Sequence, residues 1–285
     1  MKSDEFSPVV QRPLLAAGRR AALNVAMPSR GGGLLVITVA ILLFLTVAIA
    51  AFALAPRMGG TRVVFDTTPD RPAAFGYKMA WFAIRTRDTN RVVQELGLID
   101  PQPCNWRTGI GTIYDDELGE TRIFVSPPVN GWTFVVGLSL PYPVGHNFVD
   151  KCTPTLMHLG SQFIDVQYFF SFPLIDFFAW SKVSNGKLVR SFAIGDEGII
   201  WNRGKPTKDE KSLGLKMFEL RGVRERSGDA GGELILYPTE EHVMRLASRW
   251  SVDPTRIGAA AAPSASGFIC LAPASWRPER LRKSA

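Results

Sequence analysis

Histidine and cysteine are scarce in this sequence, with three of each among 285 residues. Zinc sites are built from closely spaced cysteine and histidine ligands, and no established spacing of that kind is present. The nearest match to a serine nucleophile elbow runs from Gly137 to Pro141 and ends in proline, where the tight turn requires glycine. Gly109 and Gly111 form only half of a phosphate-binding glycine pattern. We therefore predict no catalytic residues, no metal site and no cofactor.

One short stretch does concentrate potential metal ligands. His146, Asp150, Cys152 and His158 lie within thirteen residues. Their spacing fits no zinc pattern, and polar loop residues are the simpler interpretation. The functional alternative is a membrane-anchored hydrolase that uses the His146 to His158 region.

The three cysteines leave the redox compartment open. Because their number is odd, at most one disulfide forms within a monomer. The pair that we favour is Cys104 with Cys152. The alternative is three reduced thiols buried in the core.

Positive charge is in modest excess, with a formal net charge of +7. Strong nucleic-acid binding requires a larger and more clustered surplus. Nucleic acid is therefore not a predicted partner.

The longest apolar run extends from Leu34 to Ala55 and contains no charged residue. A helix over these 22 residues would measure about 33 Å, which is enough to cross a bilayer. The run is longer than the apolar region of a signal peptide, which is the main alternative. We predict a single transmembrane helix, and therefore a membrane as partner.

Charges beside this run give its orientation. Arg19, Arg20 and Arg30 precede the run, whereas Arg57 and Arg62 follow it. Positive residues are retained on the cytoplasmic side. The small difference favours an N-terminus in the cytoplasm and a domain outside it.

Turn and helix signals divide the rest of the chain. We predict a flexible tail over residues 1–33, a linker over 56–74, a globular domain over 75–258 and a loosely ordered tail over 259–285. Within that last tail, Gly267 to Leu271 could add an edge strand. Asn130 with Gly131, and Ser184 to Gly186, each separate two apolar, β-branched runs and predict hairpins. The domain is predicted to be α+β, with a mainly antiparallel sheet and a few helices packed on one face. A ferredoxin-like arrangement is one form of that fold.

Two tryptophans are candidate binding residues. Trp106 is followed by Arg107, and Trp201 lies close to Arg203, in segments predicted to be loops. Aromatic faces bind sugars and apolar side chains well. These four residues are the predicted binding set, with a protein or envelope ligand as partner.

Four segments resemble signature stretches of a family of uncharacterised bacterial proteins. They are Cys104 to Arg107, Ser126 to Trp132, Phe178 to Trp180 and Trp250 to Pro254. The resemblance covers about Ala80 to Pro254. It implies no activity, cofactor or catalytic residue, and it implies that the membrane anchor is an addition to an otherwise soluble module.

The function predicted from the sequence is a single-pass, membrane-anchored, non-enzymatic binding or interaction domain of the bacterial envelope. The hydrolase described above is one alternative. A cytoplasmic-facing partner of a membrane assembly is the other.

Overall fold

A computed structural model describes residues 30–58, 63–145, 147–196, 198–215, 224–226, 233–235, 238–259 and 263–279. The chain divides into two units, Met1–Val63 and Val64–Ala285. Most of the predicted N-terminal tail, residues 1–29, lies outside the described residues.

Six helices and eleven strands lie within the described ranges. The helices are α1 Arg30–Met58, α2 Thr89–Glu95, α3 Trp106–Ile113, α4 Cys152–Gln162, α5 Lys208–Ser212 and α6 Glu240–Trp250. The strands are β1 Met79–Ile84, β2 Ile99–Cys104, β3 Arg122–Val125, β4 Thr133–Val136, β5 Asp165–Phe172, β6 Phe177–Ser184, β7 Lys187–Gly195, β8 Gly198–Arg203, β9 Arg224–Arg226, β10 Glu233–Ile235 and β11 Gly267–Leu271.

The first unit contains α1. Its described side chains, at residues 35–50, are exposed, and the ring of Phe44 is 75% accessible. Within the part of the chain that the structure describes, no helix is both long and apolar enough to cross a membrane.

The second unit is built on a nine-stranded sheet. The strand order is β2-β11-β3-β4-β1-β5-β6-β7-β8, and every neighbouring pair is antiparallel. β9 and β10 form a separate antiparallel pair. The predicted α+β class with a mainly antiparallel sheet is confirmed.

Helices cover both faces of this sheet, because side chains alternate across each strand. In β1, Trp81 enters a first core together with residues of α3 and α6, whereas Phe82 enters a second core together with residues of α2 and α4. All six residues of β1 are buried, which is why the strand reads as a continuous apolar run. The prediction of helices on one face only was wrong, since an uninterrupted apolar strand needs cover on both sides.

Local turn chemistry accounts for the hairpins. Asn130 and Gly131 have φ angles of 51° and 81°, and Asn185 and Gly186 have 49° and 72°. Positive φ at both central residues is the two-residue hairpin turn that asparagine and glycine favour. The predicted β3–β4 and β6–β7 hairpins are confirmed.

The C-terminal part of the domain differs from its prediction. β11 coincides with the possible strand at Gly267 to Leu271 in the expected loose tail, but it lies inside the sheet between β2 and β3 rather than at an edge. The expected linker is also part of the fold, because the Asp70 carboxylate accepts the Trp106 and Arg107 backbone N–H groups at 2.7 and 2.9 Å. A nine-stranded sheet in this order is not a ferredoxin-like arrangement.

The preferred disulfide is absent from the structure, where Cys104, Cys152 and Cys270 are free and buried. Cys104 belongs to the first core and Cys152 to the second, so the sheet lies between them. Burial raises the pKa of the Cys104 and Cys270 thiols to about 12. It also raises the pKa of Cys152 well above the ordinary range.

These environments predict unreactive thiols. In the folded chain at mildly alkaline pH, a disulfide-exchange reagent should modify almost no cysteine, because the thiolate is the reactive form. After unfolding without reductant, it should titrate all three. A count of one thiol in the unfolded chain would reveal a disulfide and contradict the structure.

Candidate binding site

The predicted binding tryptophans are core residues. Trp106 opens α3 and is fully buried in the first core, with its ring centroid 5.2 Å from that of Phe124. Trp201 lies in β8, is 6% exposed and belongs to the second core. Arg107 and Arg203 are exposed. The structure therefore does not bring these four residues together as one site.

Trp106 was misplaced because its segment is a helix start rather than a loop. The side chain of Asn105 accepts the Thr108 N–H at 2.9 Å, next to the Asp70 contacts described above. These contacts satisfy the free N–H groups of the first turn of α3. Trp201 was misplaced because β8 extends the sheet by pairing with β7.

The described members of the His146 to His158 cluster serve separate structural roles. Asp150 accepts the Thr153 N–H at 2.9 Å, at the start of α4. Cys152 is fully buried, whereas His158 is exposed, with Nε2 3.2 Å from Glu95 Oε2. His146 lies outside the described residues. Among the residues that are described, no group of three or more histidine, cysteine or acidic side chains could hold a metal ion.

A different region offers a binding site, at one end of the sheet. The acidic pocket, as we name it, has a volume of about 600 Å³. It lies where β1 begins and where β4, β5 and α3 end. Its lining residues are Lys78, Met79, Ile113, Tyr114, Asp115, Asp116, Gly119, Glu120, Leu138, Phe172 and Leu174.

Buried apolar side chains form the floor of the acidic pocket. Met79 and Ile113 are each 1% exposed and belong to the first core. At the rim, Leu138 is 39% and Leu174 is 71% exposed. Clustered exposed apolar side chains of this kind mark interaction sites more often than scattered ones do.

Three carboxylates line the same pocket, at Asp115, Asp116 and Glu120. Asp115 Oδ1 accepts the Glu117 and Leu118 N–H groups at 3.1 and 2.8 Å, which closes a tight turn. Asp116 and Glu120 are exposed, and their carboxylates have no ion pair within the described part of the chain. Among the described residues, the pocket thus presents the carboxylates of Asp116 and Glu120 without an ion pair, beside an apolar floor.

The loop that carries these carboxylates is fixed from both sides. Gly119 N–H donates to the Asp115 carbonyl at 2.9 Å, and Ser139 Oγ donates to the Glu120 carbonyl at 2.8 Å. A Cβ atom on Gly119 would lie only 2.6 Å from the Ile113 carbonyl, so the loop packs closely on the end of α3. A ligand would therefore meet a loop backbone that is already in position.

Tyr114 is also held in place beside the pocket. Its hydroxyl donates to the Tyr77 carbonyl at 2.8 Å and accepts the Gly76 N–H at 3.2 Å. Burial is the main cause that raises the pKa of Tyr114 to about 12, and Glu240 adds to the shift. The phenol is therefore neutral at physiological pH, and its ring forms an uncharged aromatic wall.

A second depression adjoins the first. The C-terminal pocket, of about 480 Å³, shares Glu120 and Leu138 with the acidic pocket. Its other lining residues are Thr121, Ser139, Leu140, Tyr142, Leu271, Ala272, Pro273, Trp276, Arg277 and Pro278. A smaller depression of about 180 Å³ follows on the far side of Tyr142. Together they form a row of cavities at one end of the sheet.

No protein-family model, curated protein or solved structure matches this chain. The resemblance drawn from four short sequence segments therefore stays an expectation. Any function must be argued from the geometry of the site itself.

Sequence reasoning missed this site because its residues come from distant segments. Asp115 and Asp116 were visible as a carboxylate pair, but an adjacent pair is more typical of a turn or a solvated loop. Only the strand order brings them next to Phe172 and Leu174. The local signal in the sequence was an apolar residue, Leu174, between Pro173 and Asp176, two residue types that favour turns.

Proposed function

We propose that this chain is a single-pass, membrane-anchored, non-enzymatic binding domain of the bacterial envelope, with its ligand at the pocketed end of the sheet. The observation that carries the binding proposal is the acidic pocket, which combines an apolar floor with carboxylates on a loop whose backbone is held in place. Binding sites are typically concave and mostly apolar, with a few well-placed polar groups.

The anchor is supported by the sequence. The run Leu34 to Ala55 has no charge, and its exposed described side chains include Leu43 at 66% and Phe44 at 75%. Water-exposed apolar surface of that extent is unfavourable at roughly 25 cal/mol per Å². A bilayer would remove this cost.

A binding role is preferred over the hydrolase alternative. Catalysis requires a nucleophile or metal, a base and an orienting group within reach of one reacting atom. The candidate residues do not share one site. Asp150 accepts the Thr153 N–H, Cys152 is fully buried, and His158 contacts Glu95. The described residues that line the acidic pocket contribute carboxylates, a lysine and a neutral tyrosine, but no histidine or cysteine.

Membrane extraction of the full chain tests the anchor. The wild-type chain should stay with membranes in alkaline carbonate and be released only by detergent. The double substitution Phe44→Arg with Leu45→Arg, in the middle of the run, should move the chain to the soluble or aggregated fraction. Each arginine costs roughly 2.5 to 3.5 kcal/mol at the centre of a transmembrane helix. The matched control places arginines at Val63 and Val64, outside the run, and should stay with membranes in carbonate as the wild-type chain does.

A reporter enzyme that is active only outside the cytoplasm tests the orientation. Fused to the C-terminus, it should be active in cells, as the flanking charges predict. An inactive reporter on a membrane-bound chain would instead support the cytoplasmic-facing alternative. In the extraction experiment, release of the wild-type chain by alkaline carbonate would contradict the proposed membrane anchor.

A further inference from the structure

The acidic pocket is negative on a protein that is positive overall. Its described lining residues include three carboxylates and one ammonium group, whereas the formal net charge of the chain is +7. The local excess of negative charge therefore does not follow from the overall composition. Like charges gathered at one concave surface raise the local concentration of oppositely charged ligands. The expected ligand group is a cation.

The apolar floor restricts which cation fits. A metal ion would need oxygen ligands on several sides, and Met79 and Ile113 offer none. Lysine and arginine side chains carry a long apolar stem that ends in a charged group. Such a stem would cover Met79 and Ile113, while the charged group reaches Asp116 and Glu120 at the rim.

The adjoining C-terminal pocket has a different character. Leu140, Leu271 and Trp276 contribute apolar surface, and its charged lining residues are Arg277 and the shared Glu120. The predominance of apolar surface favours an uncharged, apolar group. Because Leu138 lines both pockets, the two groups would lie side by side. In an extended peptide, alternate side chains point in the same direction.

We propose that this end of the sheet binds an extended peptide segment of a partner protein. A lysine or arginine side chain occupies the acidic pocket, and an apolar side chain two residues away occupies the C-terminal pocket. This inference rests on the proposed binding function and specifies its ligand class. The fixed loop and the anchored Tyr114 reduce the conformational entropy lost on binding.

Peptide titration of the full chain in detergent tests the proposal. The probe is a labelled peptide with blocked termini, Gly-Lys-Ser-Leu-Gly. It should bind saturably, and added salt should weaken the binding. The peptides Gly-Glu-Ser-Leu-Gly and Gly-Lys-Ser-Ser-Gly should each bind more weakly. Equal binding of all three would overturn the proposal, as would no binding of the first.

Variants locate the contact. The double substitution Asp116→Asn with Glu120→Gln should weaken binding of the lysine peptide about fivefold to tenfold, as expected for two exposed ion pairs. The matched control is Glu117→Gln, in the same loop but outside the pocket lining, which should leave affinity nearly unchanged. Equal affinities of the double variant and wild type would contradict the proposed position.

Two further results separate this inference from the proposed function. If lysine amide alone bound as tightly as the peptide, the ligand would be a small amine, and the peptide proposal would fail. Membrane extraction and the reporter assay do not depend on the pocket. If the chain proves to be anchored but binds no lysine peptide, the peptide proposal fails while the proposed membrane anchor stands.

Discussion

Replacing Glu210 by glutamine is expected to lower the free energy of unfolding by about 3 to 5 kcal/mol. Glu210 and Arg190 are each 1% exposed, with Arg190 Nε 2.7 Å from Glu210 Oε1. Oε1 also accepts the Trp180 indole N–H at 2.8 Å, and Oε2 accepts the Thr207 N–H at 2.6 Å. Glutamine would turn a donor toward one of these N–H groups and leave the guanidinium charge uncompensated. Unfolding in guanidinium chloride, followed by tryptophan fluorescence, measures the loss of stability.

The neighbouring substitution Asp209→Asn is the control for this prediction. Asp209 lies in the first turn of α5, is only partly buried and forms no salt bridge within the described residues. Losing its favourable interaction with the helix start should cost only about 0.3 to 1 kcal/mol. Similar losses for the two variants would contradict the large cost expected for breaking the buried Arg190–Glu210 pair.

The substitution Gly109→Ala is expected to destabilise the domain by about 1 to 3 kcal/mol, although alanine is the better helix former. Gly109 lies in α3, and a Cβ atom there would overlap the ring of Phe124. That ring is fully buried and packs edge-to-face against Trp106, with ring centroids 5.2 Å apart, so it has little room to move. The steric cost therefore exceeds the gain in helix propensity.

Gly111→Ala is the matched control, two residues along the same helix. Gly111 is exposed, and a Cβ atom there would have no neighbour within 4 Å. Only the higher helix propensity of alanine remains, so this variant should be more stable than wild type by up to about 1 kcal/mol. If Gly109→Ala were also stabilising, the close contact between α3 and β3 would be refuted. Denaturant midpoints of both variants decide the matter.

Prediction from sequence succeeded where structure depends on a few neighbouring residues. Asn130 with Gly131 specified one hairpin, because few other residue pairs adopt positive φ at both turn positions. The cap of α2 was predictable for the same reason, since Asp88 accepts the Arg91 N–H only three residues away. The expected tryptophan site failed because burial depends on strands far along the chain.

The apolar run from Leu34 to Ala55, the α+β class and the hairpins were determined by the sequence alone, since composition and local turn chemistry suffice for each. Tertiary structure decided that helices cover both faces, that β11 lies within the sheet, and that Cys104 and Cys152 are on opposite sides of it. The acidic pocket also exists only through the fold. Its walls come from segments that pair at long range, and strand order is set by the packing of the whole core rather than by any one segment.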